Sequence, residues 1–265
     1  MKAIPSLTTK LASSCAMLFV ASAAQATPIA NVTVSGTTTD WLPATPVLLM
    51  PVVGTNAGAA AALSGAGNVE LGKFGLLQGS LTGDFGNPSQ QVTLSSLNGT
   101  DWTDNGNALA TAYINRAAAS IGATLSNPQL AAAVNVFLNV DLDPSANTFY
   151  AWQYLSDPNV SDVNLEGNNV IVGLDGLLDA EDFLDGLFLA MGADAPAGSQ
   201  ASEVVKVTYK GKTEYLYGFE AVPTGYAAPD GVSYTGRFTV PEPSTVALLG
   251  LGILGLGLSR ARKAK

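Results

Sequence analysis

The most constraining stretch of this chain is its C-terminal tract. It reads Val240-Pro241-Glu242-Pro243-Ser244, then an uncharged run over residues 245–258, then Arg260, Arg262, Lys263 and Lys265 within the last six positions. Two prolines fix φ and remove backbone donors, so Pro241-Glu242-Pro243 interrupts any strand or helix and stays extended. A helix over the 14 residues that follow is about 21 Å long at 1.5 Å per residue, short against the ~30 Å hydrocarbon core of a bilayer. The basic residues beyond it snorkel and hold the tail on the cytoplasmic side. Gly250-Leu251-Gly252-Ile253-Leu254-Gly255 spells a dinucleotide-binding fingerprint, but no strand precedes it. Glycine is common in membrane helices, where it lets backbones approach, and the run is read as an anchor.

The N-terminal tract sets the other boundary. Lys2 and Lys10 flank the start of an apolar stretch over residues 11–24, and Ala24-Gln25-Ala26 puts small residues at the two positions that a signal peptidase reads. Residues 1–26 are therefore expected to be a cleaved signal peptide, with Ala24 and Ala26 as processing residues. Cys15 is not read as a lipidation site, because the apolar run continues past it and no Leu sits three residues before it. This leaves residues 27–240 for the exported body.

Pro-Glu-Pro, apolar helix and basic tail, in that order, closely resemble the PEP-CTERM sorting domain of exosortase substrates. The resemblance implies processing by exosortase at Pro241, Glu242 and Pro243, with Arg260, Arg262, Lys263 and Lys265 setting topology. It implies a transient inner-membrane anchor, with the body in the periplasm before passage to the cell surface or extracellular matrix. Signal peptidase and the Sec translocon are the partners expected at the other end. The tracts at 156–161 (Ser-Asp-Pro-Asn-Val-Ser), 201–206 (Ala-Ser-Glu-Val-Val-Lys) and 215–217 (Tyr-Leu-Tyr) are similar to a group of PEP-CTERM proteins of unknown molecular function.

The body holds 20 of the 21 acidic residues and 6 of the 12 basic ones, a net charge of −14 that the whole-chain value of −9 conceals. Such a surface disfavours nucleic acid and anionic membranes as partners. The chain has no histidine, and its single cysteine is Cys15 in the signal peptide. That excludes Ser-His-Asp and Cys-His catalysis and every His- or Cys-ligated metal site. Neither Ser-x-x-Lys nor Gly-x-Ser-x-Gly occurs in the body. Carboxylates, tyrosines and a few lysines remain for chemistry, and no cofactor is expected.

Alternation and turn residues predict an α+β fold, a mostly antiparallel sheet with a few helices on one face. Strands are expected over 29–53, 69–81, 91–97, 150–155, 170–174 and 233–240, and a hairpin over 204–219 around Lys210-Gly211-Lys212. The Gly/Ala-rich stretch 54–67 reads as a loop. Helices are expected after Asn107, after Asn127-Pro128 with proline at the first helical position, and after Asp179. Two Thr-Asp-Trp sequences, ending at Trp41 and Trp102, form a weak internal echo that duplication and chance explain equally.

Three readings of chemistry follow. Asp175, Asp179 and Asp182, with Glu181 and Asp185, are candidates for calcium, although no calcium-loop spacing is present. The alternative is that Asp179, Glu181 and Asp182 complement a helix dipole, so no metal is assigned. Asp141 and Asp143 read as a helix stop. A histidine-free glycosidase needs two facing carboxylates, for which Glu70, Glu166, Glu203, Glu214 and Glu220 are available. Trp41, Trp102 and Trp152 suit stacking on sugars or core packing. Taken together the chain reads as a non-enzymatic exported envelope or matrix protein. The alternative is a glycan-binding or carboxylate-dependent glycan-active protein of an exopolysaccharide matrix.

Overall fold

The computed structural model describes residues 26–45, 48–141, 149–175, 178–188, 192–220, 222–228 and 231–240. Residues 1–25 of the expected signal peptide and the C-terminal helix and tail fall outside these residues, as does Asp143. Among the described residues no helix is long and apolar enough to cross a membrane.

The α+β expectation holds: the described residues form four helices and mostly strands, but the strands fall into two large sheets and a two-stranded pair, β10-β11, rather than one sheet. The strands are β1 (Thr27–Pro28), β2 (Ala30–Gly36), β3 (Thr38–Thr45), β4 (Leu48–Val53), β5 (Asn68–Leu71), β6 (Gly79–Asp84), β7 (Val92–Ser95) and β8 (Asn159–Glu166). They continue with β9 (Asn169–Asp175), β10 (Leu178–Asp179), β11 (Gln200–Ala201), β12 (Val205–Tyr209), β13 (Lys212–Leu216), β14 (Val222–Ala228) and β15 (Gly231–Val240). In the first sheet the order is β8-β5-β3-β4-β14-β15-β9, and β9 pairs back onto β8, so seven strands close into a ring. Its one parallel junction is β4–β14, through Leu48 and Ala227. The second sheet, β13-β12-β7-β6-β2, is antiparallel throughout.

The chain crosses between the sheets at Gly36, where φ is 72° and an added Cβ would lie 2.2 Å from the carbonyl oxygen of Gln78. Only glycine fits there. The sheets pack on each other through alternate residues: Val69, Leu71, Val160, Val172 and Leu174 from the first meet Leu81, Leu94, Val205 and Val207 from the second. Each such side chain contributes about 1.5–3 kcal/mol when fully buried.

The stretch expected as a loop at 54–67 contains helix α1 (Asn56–Ser64). Alanine at 59–62 is the best helix former, and the Thr55 side chain caps the helix by accepting from the Gly58 N–H at 3.0 Å. Glycine is required at 58, since a Cβ would lie 2.1 Å from the buried Asp40 Oδ2. Ala59, Ala62 and Leu63 face the sheet core.

A second core gathers α2 (Gly99–Ser120), α3 (Asn127–Asn139) and α4 (Glu181–Phe188) around Trp102, Tyr113, Phe137 and Phe188. Trp102 meets Phe137 edge-on with centroids 4.9 Å apart, and Tyr113 stacks on Phe137 at 5.8 Å. Helix α2 opens with a short helical stretch that was not expected, capped by Asn98 in a box where Asp101 Oδ2 accepts from the Asn98 N–H at 3.0 Å. A kink over 104–107 separates it from a second helical stretch, which starts after Asn107 as expected. Helix α3 starts as expected, with proline in its first turn.

Residues 151–155, expected as a strand, form a 3-10 turn (Ala151–Leu155). Their alternating burial mimics a strand, but Gln153 Oε1 accepts from the Tyr150 N–H at 2.7 Å and closes the chain locally. The hairpin at Lys210-Gly211 is present with φ of 49° and 75° at its two central residues, the I′ geometry that matches strand twist. The Thr-Asp-Trp echo has no structural counterpart: Asp40-Trp41 lies in β3 and Asp101-Trp102 in the first turn of α2.

Candidate functional site

The segment 151–156 is fastened from three sides. The Ser156 hydroxyl donates to the Trp152 carbonyl at 2.6 Å and accepts from the Trp102 indole N–H at 2.9 Å. The Leu97 N–H donates to the Ser156 carbonyl at 3.0 Å and the Val204 N–H to the Leu155 carbonyl at 2.8 Å. The start of α2 is tied to the second sheet by Asp101, which is 7% exposed. Its Oδ1 accepts from Lys206 Nζ at 2.7 Å and from the Tyr215 hydroxyl at 3.1 Å. Burial, reinforced by the Asp101 charge, pushes the Tyr215 phenol up to about 12. Thus the three tracts 156–161, 201–206 and 215–217, distant in sequence, meet along one seam.

On the outer side of this seam lies an open groove of about 630 Å³. Trp152 and Tyr150 form one wall, and Tyr150 is 43% exposed. The indole of Trp152 sits between two glycines. A Cβ on Gly75 would come within 2.6 Å of it, and one on Gly99 within 3.5 Å. Asn98, Thr100, Thr103, Asn107, Leu138 and Asn139 line the rest. At Asn107 this groove meets a second, of about 360 Å³, lined by Thr111, Asn127, Leu130, Ala131 and Val134. Neither lining includes a charged side chain.

The saddle between the two is unusual backbone. Asn105, Gly106 and Asn107 have φ of 51°, 69° and 65°, three consecutive residues in the left-handed region. Glycine and asparagine are the residues that enter that region most readily, but as single residues rather than in runs of three. Asn107, at the end of the kink, lines both grooves.

Behind the seam lie three carboxylates. Phe74, itself at φ 49°, donates its N–H to Asp157 Oδ2 at 2.9 Å. Asn159 donates its backbone N–H and its amide to Glu203 Oε2 at 3.0 and 3.2 Å. Glu70 Oε2 accepts from the Trp41 indole N–H at 2.9 Å. Burial raises Asp157 to about 7, helped by the charge of Glu70 and opposed by the Phe74 N–H. Burial, then the charge of Asp157, holds Glu203 well above the usual carboxylate range.

Of the five glutamates read as possible catalytic partners, the fold brings Glu70 and Glu203 together, with Asp157. Glu166 lies 3.8 Å from Arg237, Glu214 pairs with Lys212, and Glu220 is exposed. Asp175 is buried at the end of β9, Asp179 belongs to β10, and Asp182 sits with Glu181 in the first turn of α4. Asp185 Oδ1 accepts from the Ala195 N–H at 2.6 Å. Among the described residues no three Asp or Glu side chains are grouped so as to hold a metal ion. Trp41 and Trp102 are committed to internal hydrogen bonds, and Trp152 lines the groove. Ala26 is exposed just before β1, and Ala24, Pro241, Glu242, Pro243, Arg260, Arg262, Lys263 and Lys265 lie outside the described residues. Sequence reasoning did not single out Asp157, Asp101 or the groove asparagines as site residues. The one signal was that Asp157 falls within the 156–161 tract.

The PEP-CTERM protein-sorting motif matches residues 239–263, starting inside strand β15. The chain is therefore an exported protein, transiently anchored in the membrane and sorted by exosortase. No curated protein and no solved structure matches the chain.

Proposed function

We propose that residues 27–240 act as a non-enzymatic protein of the cell envelope or extracellular matrix, delivered there after exosortase acts on Pro241-Glu242-Pro243. The observation that carries this reading is the separation of carboxylates from groove. Carboxylate-based glycoside hydrolysis needs two acids facing one open cleft. Here Glu70, Asp157 and Glu203 hold an indole, a strained backbone N–H and a strand start, while the groove beside them is lined by amides, hydroxyls and aromatic rings. The same observation favours binding over hydrolysis within the glycan alternative.

The test is mass spectrometry of the mature protein together with cell fractionation, in strains with and without exosortase. With the enzyme, the chain ends near residues 241–244 and is found at the surface or in the matrix. Without it, or after replacing Pro241, Glu242 and Pro243 together by alanine, residues 245–265 are kept and the protein stays in the inner membrane. A released form carrying Lys265 refutes the proposal.

A further inference from the structure

The geometry points to a binding site for an uncharged polysaccharide in the furrow that runs from Trp152 and Tyr150 across Asn107 to Asn127. This rests on the reading of the body as a protein that works by contact.

Four features converge on it. The first is the aromatic wall. A pyranose ring has an apolar C–H face and a hydroxyl rim, so it lies flat on an exposed aromatic ring and presents its edge to hydrogen-bonding groups. Tyr150 supplies an exposed ring, and Trp152 is fixed between Gly75 and Gly99, so little side-chain freedom is lost on binding.

The second is the state of the polar groups. Asn98 uses its carbonyl oxygen to cap α2, accepting from the Thr100 and Asp101 N–H groups at 2.8 and 3.2 Å, which leaves its amide hydrogens for a ligand. Asn107 and Asn127 make no side-chain hydrogen bonds among the described residues. Each amide offers donors and an acceptor, the pairing that a sugar hydroxyl requires.

The third is the strained saddle. Three successive left-handed residues at 105–107 hold Asn107 at the junction of the two grooves. A Cβ on Gly106 would meet nothing within 4 Å, so the saddle is open to solvent at its centre.

The fourth is charge. With no charged lining and a body at −14, a uronate or sulfated polymer gains no partner in the furrow and is repelled by the surface around it. The chemistry selects a neutral polymer. The two volumes fall within the range of ligand sites, about 300–1,000 Å³, and their open junction at Asn107 suits a chain better than a single sugar.

The experiment is native affinity electrophoresis of the protein released by exosortase-positive cells. Gels contain dextran, hydroxyethyl cellulose or galactomannan as neutral polymers, and alginate as the acidic one. Retardation by at least one neutral polymer, and none by alginate, is expected. Tyr150→Ala weakens it about threefold or more, in line with loss of one stacking contact. Asn107→Gly keeps the left-handed backbone while deleting the amide, and the double variant removes retardation with an unchanged melting temperature. Absence of retardation by all three neutral polymers overturns the inference. So does retardation by alginate alone, or retardation unaltered in the double variant. A protein found at the surface or in the matrix but not retarded sinks the furrow and leaves the envelope reading standing. Release of reducing ends from a polymer sinks the non-enzymatic reading, while loss of retardation in the double variant still supports the furrow.

Discussion

Replacing Asp157 by asparagine should stabilise the protein at alkaline pH and not at acid pH. The Asp157 carboxyl is 6% exposed and burial raises it from 3.8 to about 7. The folded state therefore holds this proton more tightly than the unfolded chain does. The stability linked to it is complete below pH 3.8 and is lost as pH rises through about 7. A displacement of that size corresponds to about 4 kcal/mol between the protonated and ionised forms. The amide of the variant would keep an oxygen facing the Phe74 N–H, which now bonds to Asp157 Oδ2 at 2.9 Å, and carry no charge. Glu203 is raised partly by the Asp157 charge, so removing that charge relieves Glu203 as well and adds to the gain. Half the ceiling, about 2 kcal/mol at pH 8, is the smallest gain this reasoning allows. For a domain of this size that is a rise of roughly 4–8 °C in Tm. Circular-dichroism melts of wild type and Asp157→Asn at pH 4, 6 and 8 read it directly. A Tm at pH 8 that is unchanged or lower refutes the argument. So does a gain that is the same at pH 4, because it would not come from ionisation.

Two further outcomes are expected. Asp101→Ala removes the shared acceptor of Lys206, Tyr215 and the Asn98 N–H and should cost about 2–4 kcal/mol in urea unfolding; a loss below about 1 kcal/mol would contradict the role given to this seam. Millimolar calcium should leave Tm within about 1 °C, since a real site occupied at a hundred times its dissociation constant would add about 2.7 kcal/mol; a rise of several degrees that Asp179→Ala abolishes would restore the metal reading of Asp175, Asp179 and Asp182.

Local rules were legible where the sequence near a feature decides it. Lys210-Gly211 between two β-rich runs specifies a hairpin, and Asn127-Pro128 specifies a helix start, without reference to the rest of the chain. They misled where local signals compete or where distant groups decide. The 54–67 stretch carries a helix signal in the Thr55 cap and the alanines at 59–62, but its glycines read as a loop, and the need for glycine at 58 comes from Asp40 of β3, against which a Cβ would lie 2.1 Å away. The 151–155 segment has strand-like alternation, yet Gln153 and Ser156 close it into a turn. One sheet was expected and two large ones occur, because the transfer point is a single glycine, Gly36, in an otherwise continuous β run. The site shows the same division. Trp152 could be named as a candidate platform from its residue type alone. The amides around it come from α2, α3 and the loop before α2, and only the folded arrangement gathers them.

The ring of the first sheet has a consequence for the order of events during export. Its last described strand, β15, is inserted between β14 and β9, and Val240 pairs with Val170 at 1% exposure. Until nearly all of residues 27–240 has emerged, β9 has an open edge and the first sheet has a gap. Folding is thus postponed to the end of translocation, with high contact order and exposed strand edges in the meantime. Once β15 is in place, no spacer separates the wall of the ring from Pro241. The sorting motif, whose match begins at residue 239, thus overlaps the strand that completes the ring.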